Sequence, residues 1–313
     1  RCQYLLSYFL AMAGAFQSFA EVNRTVGALA YSPNGEYLVA AGTEMSRDVW
    51  SGEMTVFSTA PFSKNSVPSD TGVADLAWVD DTTFASASDD GQVLLMSASE
   101  LKVLDHVPAH TKSCTRVVVD KPGSAELMAS CGADRRCVVY NLKTQDEVLV
   151  AVHSEAVTDA AFFGESSVAT SSLDGTVKIW DSRTSDSKFR EAVGRLWFPT
   201  GVKSLALVGE KLVVATDGAL TSYDPRSLGD SLATLPSASP LTVRAAGDAT
   251  VLLHELNPNL TFVEMGATSF KRKKRAFPDS TELPTAALTA FSLSPDGHVA
   301  IAGKGDVSLW RLD

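Results

Sequence analysis

The stretch Ser171-Ser172-Leu173-Asp174-Gly175-Thr176-Val177-Lys178-Ile179-Trp180-Asp181 joins two short apolar runs through an Asp-Gly pair. That pattern is typical of two strands connected by a tight turn. Degraded copies of the unit recur along the chain. The third strand of each copy ends in an aromatic or apolar residue, and these residues are Phe57, Met96, Tyr140, Trp180, Tyr223, Met265 and Trp310.

The spacings between these residues are 39, 44, 40, 43, 42 and 45. They match the period of about 40–45 residues expected for propeller blades and exclude a helical repeat of about 34 residues. The unit resembles the WD repeat, in which each four-stranded sheet must stack on its neighbours to bury its faces. We therefore expect an all-β, seven-bladed WD-repeat propeller. The predicted blades are residues 25–57, 72–107, 110–150, 153–193, 201–235, 241–277 and 287–313.

The chain ends after three strands of the seventh predicted blade. We expect residues 1–24 to supply the fourth strand, which closes the ring and removes a sheet edge. Residues 5–16 are apolar and also resemble the core of a signal peptide, so a leader or an incorrect first exon stays open. The predicted domains are an N-terminal segment, residues 1–24, and the propeller, residues 25–313.

The composition narrows the class of partner. A net charge of −10 and a pI near 5.0 disfavour direct nucleic-acid binding and favour basic protein partners. The four cysteines form no Cys-x-x-Cys pair, so we expect reduced thiols, no metal site and no cofactor. The basic run at residues 271–275 suits either a nuclear localisation signal or an exposed outer strand.

His153, Ser171 or Ser172, and Asp174 offer the residue types of a Ser-His-Asp triad. The stronger interpretation is structural, because a WD blade uses such residues with Trp180 as a buried hydrogen-bonded tetrad. A partial copy at His110, Ser130 and Asp134, with Tyr140 in place of Trp, favours that interpretation. No nucleophile elbow, metalloprotease helix, phosphate loop or dinucleotide fingerprint is present, so we expect a protein that is not an enzyme and has no catalytic residues.

Two segments are more specific. One is Ser46-Arg47-Asp48-Val49-Trp50-Ser51-Gly52, within an enlarged loop predicted for residues 42–52. The other is Gly72-Val73-Ala74-Asp75-Leu76-Ala77-Trp78-Val79. Together they resemble the methylosome protein 50 family, the WD-repeat partners of the arginine methyltransferase that makes symmetric dimethylarginine.

The resemblance implies a non-catalytic subunit that docks on the N-terminal barrel domain of the methyltransferase, in a hetero-octamer of four plus four subunits. It also implies recruitment of arginine-rich substrates such as histone tails and Sm proteins, in the cytoplasm and the nucleus, with no membrane. Trp50 would receive a methyltransferase arginine by a cation-π contact. Arg47, Asp48 and Ser51 would form its polar rim.

Two other classes of function stay open. A generic WD-repeat scaffold of another intracellular complex would bind a peptide at the propeller channel. A hydrolase would use His153 with Ser171 or Ser172.

Overall fold

The fold is all-β throughout the part of the chain that the structure describes. This computed structural model describes residues 16–46, 49–59, 62–164, 166–182, 191–237, 240–245, 250–255, 260–273, 290–294, 298–302 and 304–311. Its strands form one seven-stranded sheet and five four-stranded sheets, all antiparallel. The predicted all-β class and the repeated four-strand unit are therefore confirmed.

The strands follow one another in groups of four along the chain. The first sixteen are β1 (Phe16–Tyr31), β2 (Tyr37–Ser46), β3 (Val49–Thr59), β4 (Phe62–Ser69), β5 (Val73–Trp78), β6 (Thr83–Ser88), β7 (Val93–Ser97), β8 (Lys102–Val107), β9 (Cys114–Val119), β10 (Leu127–Gly132), β11 (Arg136–Asn141), β12 (Asp146–Val152), β13 (Val157–Phe163), β14 (Ser167–Ser172), β15 (Thr176–Asp181) and β16 (Gly194–Trp197). The remainder are β17 (Val202–Val208), β18 (Lys211–Thr216), β19 (Ala219–Tyr223), β20 (Ala233–Pro236), β21 (Pro240–Ala245), β22 (Thr250–Glu255), β23 (Leu260–Met265), β24 (Phe270–Lys273), β25 (Ala290–Leu293), β26 (His298–Ala302) and β27 (Lys304–Arg311).

The long strand β1 pairs with the first and the last groups of strands along the chain. Its first half pairs with β27, from Phe16 opposite Trp310 to Thr25 opposite Lys304. Its second half pairs with β2, from Thr25 opposite Thr43 to Tyr31 opposite Leu38. The seven-stranded sheet therefore runs in the order β25-β26-β27-β1-β2-β3-β4, and β1 passes without a break across the predicted domain boundary at residues 24 and 25.

Apolar clusters lie between neighbouring sheets, as a stacked-sheet architecture requires. One cluster joins Met54 and Val56 of β3 to Trp78 and Phe84 of the next sheet. The Trp78 indole donates a hydrogen bond of 3.1 Å to the Ala30 carbonyl, so it ties β5 to β1 while being only 4 % exposed. Phe57 of β3 is fully buried as well.

Turn glycines end the strands where the sequence predicted tight turns. Gly35, Gly91, Gly175 and Gly218 all have φ between 74° and 103°. That left-handed region costs glycine nothing, because glycine has no Cβ. The Gly35 turn joins the first and second strands of its group, and the other three turns join the second and third strands of theirs.

The predicted loop at residues 42–52 is wrong. Strands β2 and β3 continue through most of it, with Thr43 opposite Gly52, Met45 opposite Trp50 and Ser46 opposite Val49. The ladder satisfies the backbone hydrogen bonds that a loop would have left to water. No Asn-Gly or Asp-Gly pair lies between the two strands, which explains why turn signals alone did not reveal their pairing.

Candidate functional site

A chain of buried hydrogen bonds runs through the sheet that contains the opening stretch. The Trp180 indole donates to Thr170 Oγ1 over 2.8 Å, and Thr170 Oγ1 lies 2.8 Å from His153 Nε2. On the other side of the ring, His153 Nδ1 lies 3.2 Å from Asp174 Oδ2 and 3.1 Å from Thr176 Oγ1. We assign the ring proton to Nδ1, since Asp174 can only accept and Thr170 then donates to Nε2.

The hydroxyl of this chain was predicted to be Ser171 or Ser172, and that prediction is wrong. Ser171 lies on the opposite face of β14 from Thr170, because side chains alternate along a strand, and Ser172 lies on the same face two residues further along. One position on that face meets both His153 and Trp180. Thr170 holds that position. Ser171 instead lies 2.8 Å from Thr158 Oγ1, and Ser172 donates to the Glu155 carbonyl over 3.1 Å.

The protonation states of the residues in this hydrogen-bonded series suit a structural role. Burial, with a smaller effect of Lys178, lowers the pKa of His153 to about 4, so the imidazole is neutral at pH 7. Burial raises the pKa of Asp174, but hydrogen bonds from Thr176 and the Ser154 amide outweigh it and leave the pKa below its ordinary value. The hydroxyl nearest the imidazole is fully buried and already bonded to Trp180, so it has no path to a substrate.

The preceding sheet repeats part of this arrangement. His110 Nδ1 lies 3.0 Å from Asp134 Oδ1, and His110 Nε2 lies 3.0 Å from Ser130 Oγ. The grouping of His110, Ser130 and Asp134 is therefore as predicted. A second copy in another sheet is what a scaffold requires and what a single reactive centre does not.

A cavity of about 430 Å³ lies among the inner strands β1, β5, β9, β13, β17, β21 and β25. Six of these strands carry a β-bulge, which lies close to the start of the strand in five of them and well inside the long strand β1. The extra residue at each bulge leaves the ladder and re-aims its neighbours. These residues are Gly27, Ala74, Thr115, Thr158, Lys203 and Leu241.

Two of the bulge residues tie one inner strand to the next. Thr115 Oγ1 donates to the Val157 carbonyl over 2.6 Å. Thr158 Oγ1 donates to the Val202 carbonyl over 3.0 Å. The same hydroxyl-to-carbonyl hydrogen bond therefore links β9 to β13 and β13 to β17, so neighbouring inner strands of the cavity wall are joined in the same way.

The residue after the bulge is charged in three of these strands, as Asp75, Arg116 and Asp159. Arg116 lies between two carboxylates, with Nη1 2.6 Å from Asp75 Oδ1 and Nε 2.9 Å from Asp159 Oδ1. Both carboxylates also accept backbone amides of the next inner strand, from Val117 at 3.0 Å and Leu205 at 3.2 Å. These bonds satisfy charges that would otherwise be costly to bury.

These charged residues of the cavity wall were not predicted from the sequence. Asp75, Arg116, Asp159 and Ser204 each occupy the third position of an apolar inner strand, and Arg244 lies on the corresponding strand β21. A polar residue recurring at that position was the available signal. The four strands are far apart in sequence, so their convergence on one cavity is a tertiary fact.

The predicted partner-binding residues lie mostly beyond what can be described. Arg47 and Asp48 are outside the described residues, and for Trp50 only the backbone is described, in β3. Ser51 is half-buried in the same strand. In the basic run, Lys271 and Arg272 are exposed on the outer strand β24, whereas residues 274 and 275 are outside the described part.

Among the described residues, no group of three or more His, Cys, Asp or Glu is placed to hold a metal ion. No helix in that part is long and apolar enough to cross a membrane.

Comparison with known proteins identifies the repeat. Residues 147–181, from β12 to β15, match the family model described as "WD domain, G-beta repeat". Over 103 residues the chain is 38% identical to the mitotic checkpoint protein BUB3.1 of Arabidopsis thaliana, a match covering 32% of this chain and 30% of that protein. Over 131 residues it is 29% identical to the WD repeat-containing protein 55 homolog of Drosophila virilis, covering 40% and 25%. The chain therefore spans well under half the length of these curated relatives.

Solved structures share the fold over almost the whole chain. The structure of U3-55K has a TM-score of 0.77 at 15% identity, covering 96% of this chain and 99% of that one. A chain of the mitotic checkpoint complex has a TM-score of 0.74 at 14% identity, covering 96% and 90%. These matches are to WD-repeat proteins and give no specific support to the methyltransferase partner family that the two segments resemble.

Proposed function

We propose that this chain, a WD-repeat protein, is a non-catalytic scaffold that binds a segment of a partner protein in its central channel. The observation that carries this proposal is the 430 Å³ cavity among the inner strands, with charged groups in its wall. Concave sites with a few convergent polar groups are where proteins bind ligands. His153 and Asp174 of the predicted triad, by contrast, make buried hydrogen bonds that stabilise their own sheet.

The proposal includes a ring of seven blades closed by β1. Its support is that β1 pairs with β27 on one side and with β2 on the other. One strand then completes the last blade and begins the first. Such closure leaves no exposed edge between the two ends of the chain.

Affinity capture with a channel-filling variant tests the proposal. Ala74 is half-buried in the cavity wall, so Ala74→Tyr places an aromatic ring in the channel. We expect the partners captured from native extract to fall at least tenfold, with the melting temperature within a few degrees of wild type. Leu104→Tyr, on the exposed outer strand β8, is the matched control and should keep every partner. Equal capture by both folded variants would refute channel binding.

A second candidate is docking on an arginine methyltransferase through Trp50. One observation favours it: the β2–β3 hairpin runs three residues beyond its pairing with the flanking strands, from Glu44 opposite Ser51 to Ser46 opposite Val49. A projecting hairpin is suited to contact a partner. Recovery of a methyltransferase at near-equal stoichiometry, lost in Trp50→Ala and kept in Ala74→Tyr, would select this candidate. The octamer, the arginine-rich substrates and the nuclear and cytoplasmic location stay predictions of the same candidate.

A further inference from the structure

The charges in the channel wall are unevenly compensated. Arg116 has a carboxylate on each side, from Asp75 and Asp159, and is only 15 % exposed. Asp159 is shared further, because its Oδ2 accepts the Ser204 hydroxyl over 2.6 Å and the Leu205 amide over 3.2 Å. Little acceptor capacity is left on Asp159 for a second guanidinium.

Arg244 is that second guanidinium. Its Nη1 lies 3.4 Å from Asp159 Oδ2, 3.4 Å from Ser204 Oγ and 2.7 Å from the Val243 carbonyl. Among the described residues its Nε and Nη2 donate no hydrogen bond, although the side chain is 28 % exposed in the cavity wall. Burial and the neighbouring Arg116 lower its pKa to about 10, as expected for a cation short of negative charge.

The rest of the wall divides into a cationic side and an apolar side. Lys203, at the bulge of β17, lines the same cavity as Arg244, and its ammonium is 3.8 Å from Asp217. Small apolar side chains from β1, β5 and β25 line the other side, among them Ala28, Ala74 and Ala290. A ligand in this channel meets free guanidinium donors on one side and a small-residue surface on the other.

We propose that the channel binds an acidic segment of a partner protein, with an Asp or Glu carboxylate paired to Arg244 and an adjacent small apolar side chain packed on the alanine side. The inference rests on the proposed channel function and adds the chemistry of its ligand. A planar guanidinium with Nε and Nη2 free matches the two oxygens of a carboxylate. Lys203 adds positive charge on the same side.

Selection from a display library of random seven-residue peptides tests this inference on the full chain. We expect one position of the selected peptides to be enriched in Asp or Glu. Changing that residue to its amide should weaken binding to the wild type about 10- to 100-fold, as for other buried charge pairs at interfaces. Arg244→Gln should weaken the acidic peptide by a similar factor and be insensitive to the amide change, since the pair is already broken.

Matched variants make the result interpretable. Arg226→Gln removes the same charge from a site 68 % exposed and should bind like wild type. Lys203→Gln serves if Arg244→Gln fails to fold, and it should weaken the acidic peptide more than its amide form. Selected peptides without an acidic position, or an amide change that costs the same in wild type and Arg244→Gln, would overturn the inference. A library that yields no binders would also overturn the inference. The proposed function would still hold in that case if Ala74→Tyr reduces the partners captured from extract.

Discussion

Replacing Thr170 with valine isolates the hydroxyl at the centre of the buried chain. Valine keeps the volume and the β-branch but removes the oxygen that accepts from Trp180 and meets His153. The site is fully buried, so water does not replace the lost bonds. Leaving a buried polar group unsatisfied costs about 1–3 kcal/mol, and two groups are affected, which gives a loss of about 4 kcal/mol in the free energy of unfolding.

That loss converts to a shift in melting temperature. Unfolding entropy is about 2.1 cal/mol/K per residue, or about 0.66 kcal/mol/K for 313 residues. Thr170→Val should therefore lower the melting temperature by about 6 °C. The assay is thermal unfolding followed by far-ultraviolet circular dichroism at pH 7.5 and one fixed scan rate, because large proteins often unfold irreversibly.

Two serines beside Thr170 provide the controls. Ser171→Ala and Ser172→Ala remove hydroxyls with other partners, Thr158 and Glu155, and each should cost about 1 kcal/mol or about 1.5 °C. Adding Trp180→Phe to Thr170→Val should be less than additive by about 1 kcal/mol, since the orphaned indole is removed. A serine variant as damaging as Thr170→Val, or full additivity of the double variant, would refute the assignment of Thr170.

Two further predictions concern protonation and thiol reactivity. The pKa of folded His153, about 4, lies below its ordinary 6.5, so the unfolded chain binds more protons between these values. The free energy of unfolding should fall by about 3 kcal/mol as pH drops from about 6.5 to about 4, and His153→Gln should lack that part of the dependence. Cys114, Cys131 and Cys137 are buried free thiols, and burial raises the pKa of Cys114 to about 12. With Cys2 changed to Ser, an aromatic disulfide reagent at pH 8 should label none of them in the folded chain and all three in guanidinium.

A specific result would contradict each of these two predictions. Parallel pH profiles for wild type and His153→Gln would show that the imidazole does not lose a proton on folding. Labelling of a thiol in the folded state at a rate near that in guanidinium would show that the β9–β11 sheet is open to solvent.

The sequence pattern predicted part of the candidate site. The sequence correctly predicted that His153, Asp174 and Trp180 belong to one series of buried hydrogen bonds. The prediction succeeded because residues of these types recur at similar spacing in another repeat unit. It failed at the hydroxyl, since Thr170, Ser171 and Ser172 are consecutive and all carry an oxygen. Which of them faces the imidazole depends on where β14 enters the ladder, and a one-residue shift in register turns every side chain to the other face.

The sequence by itself determined the all-β class, the four-strand unit and the turns marked by Asn-Gly or Asp-Gly pairs, because these depend on residues close together along the chain. Only the tertiary structure decided which side chains line the cavity among the inner strands. Asp75, Arg116, Asp159 and Arg244 lie on four different inner strands, and their charges interact only after the sheets stack. Coulombic and hydrogen-bond energies depend on distances between side chains, which spacing along the chain does not fix until the fold brings the strands together.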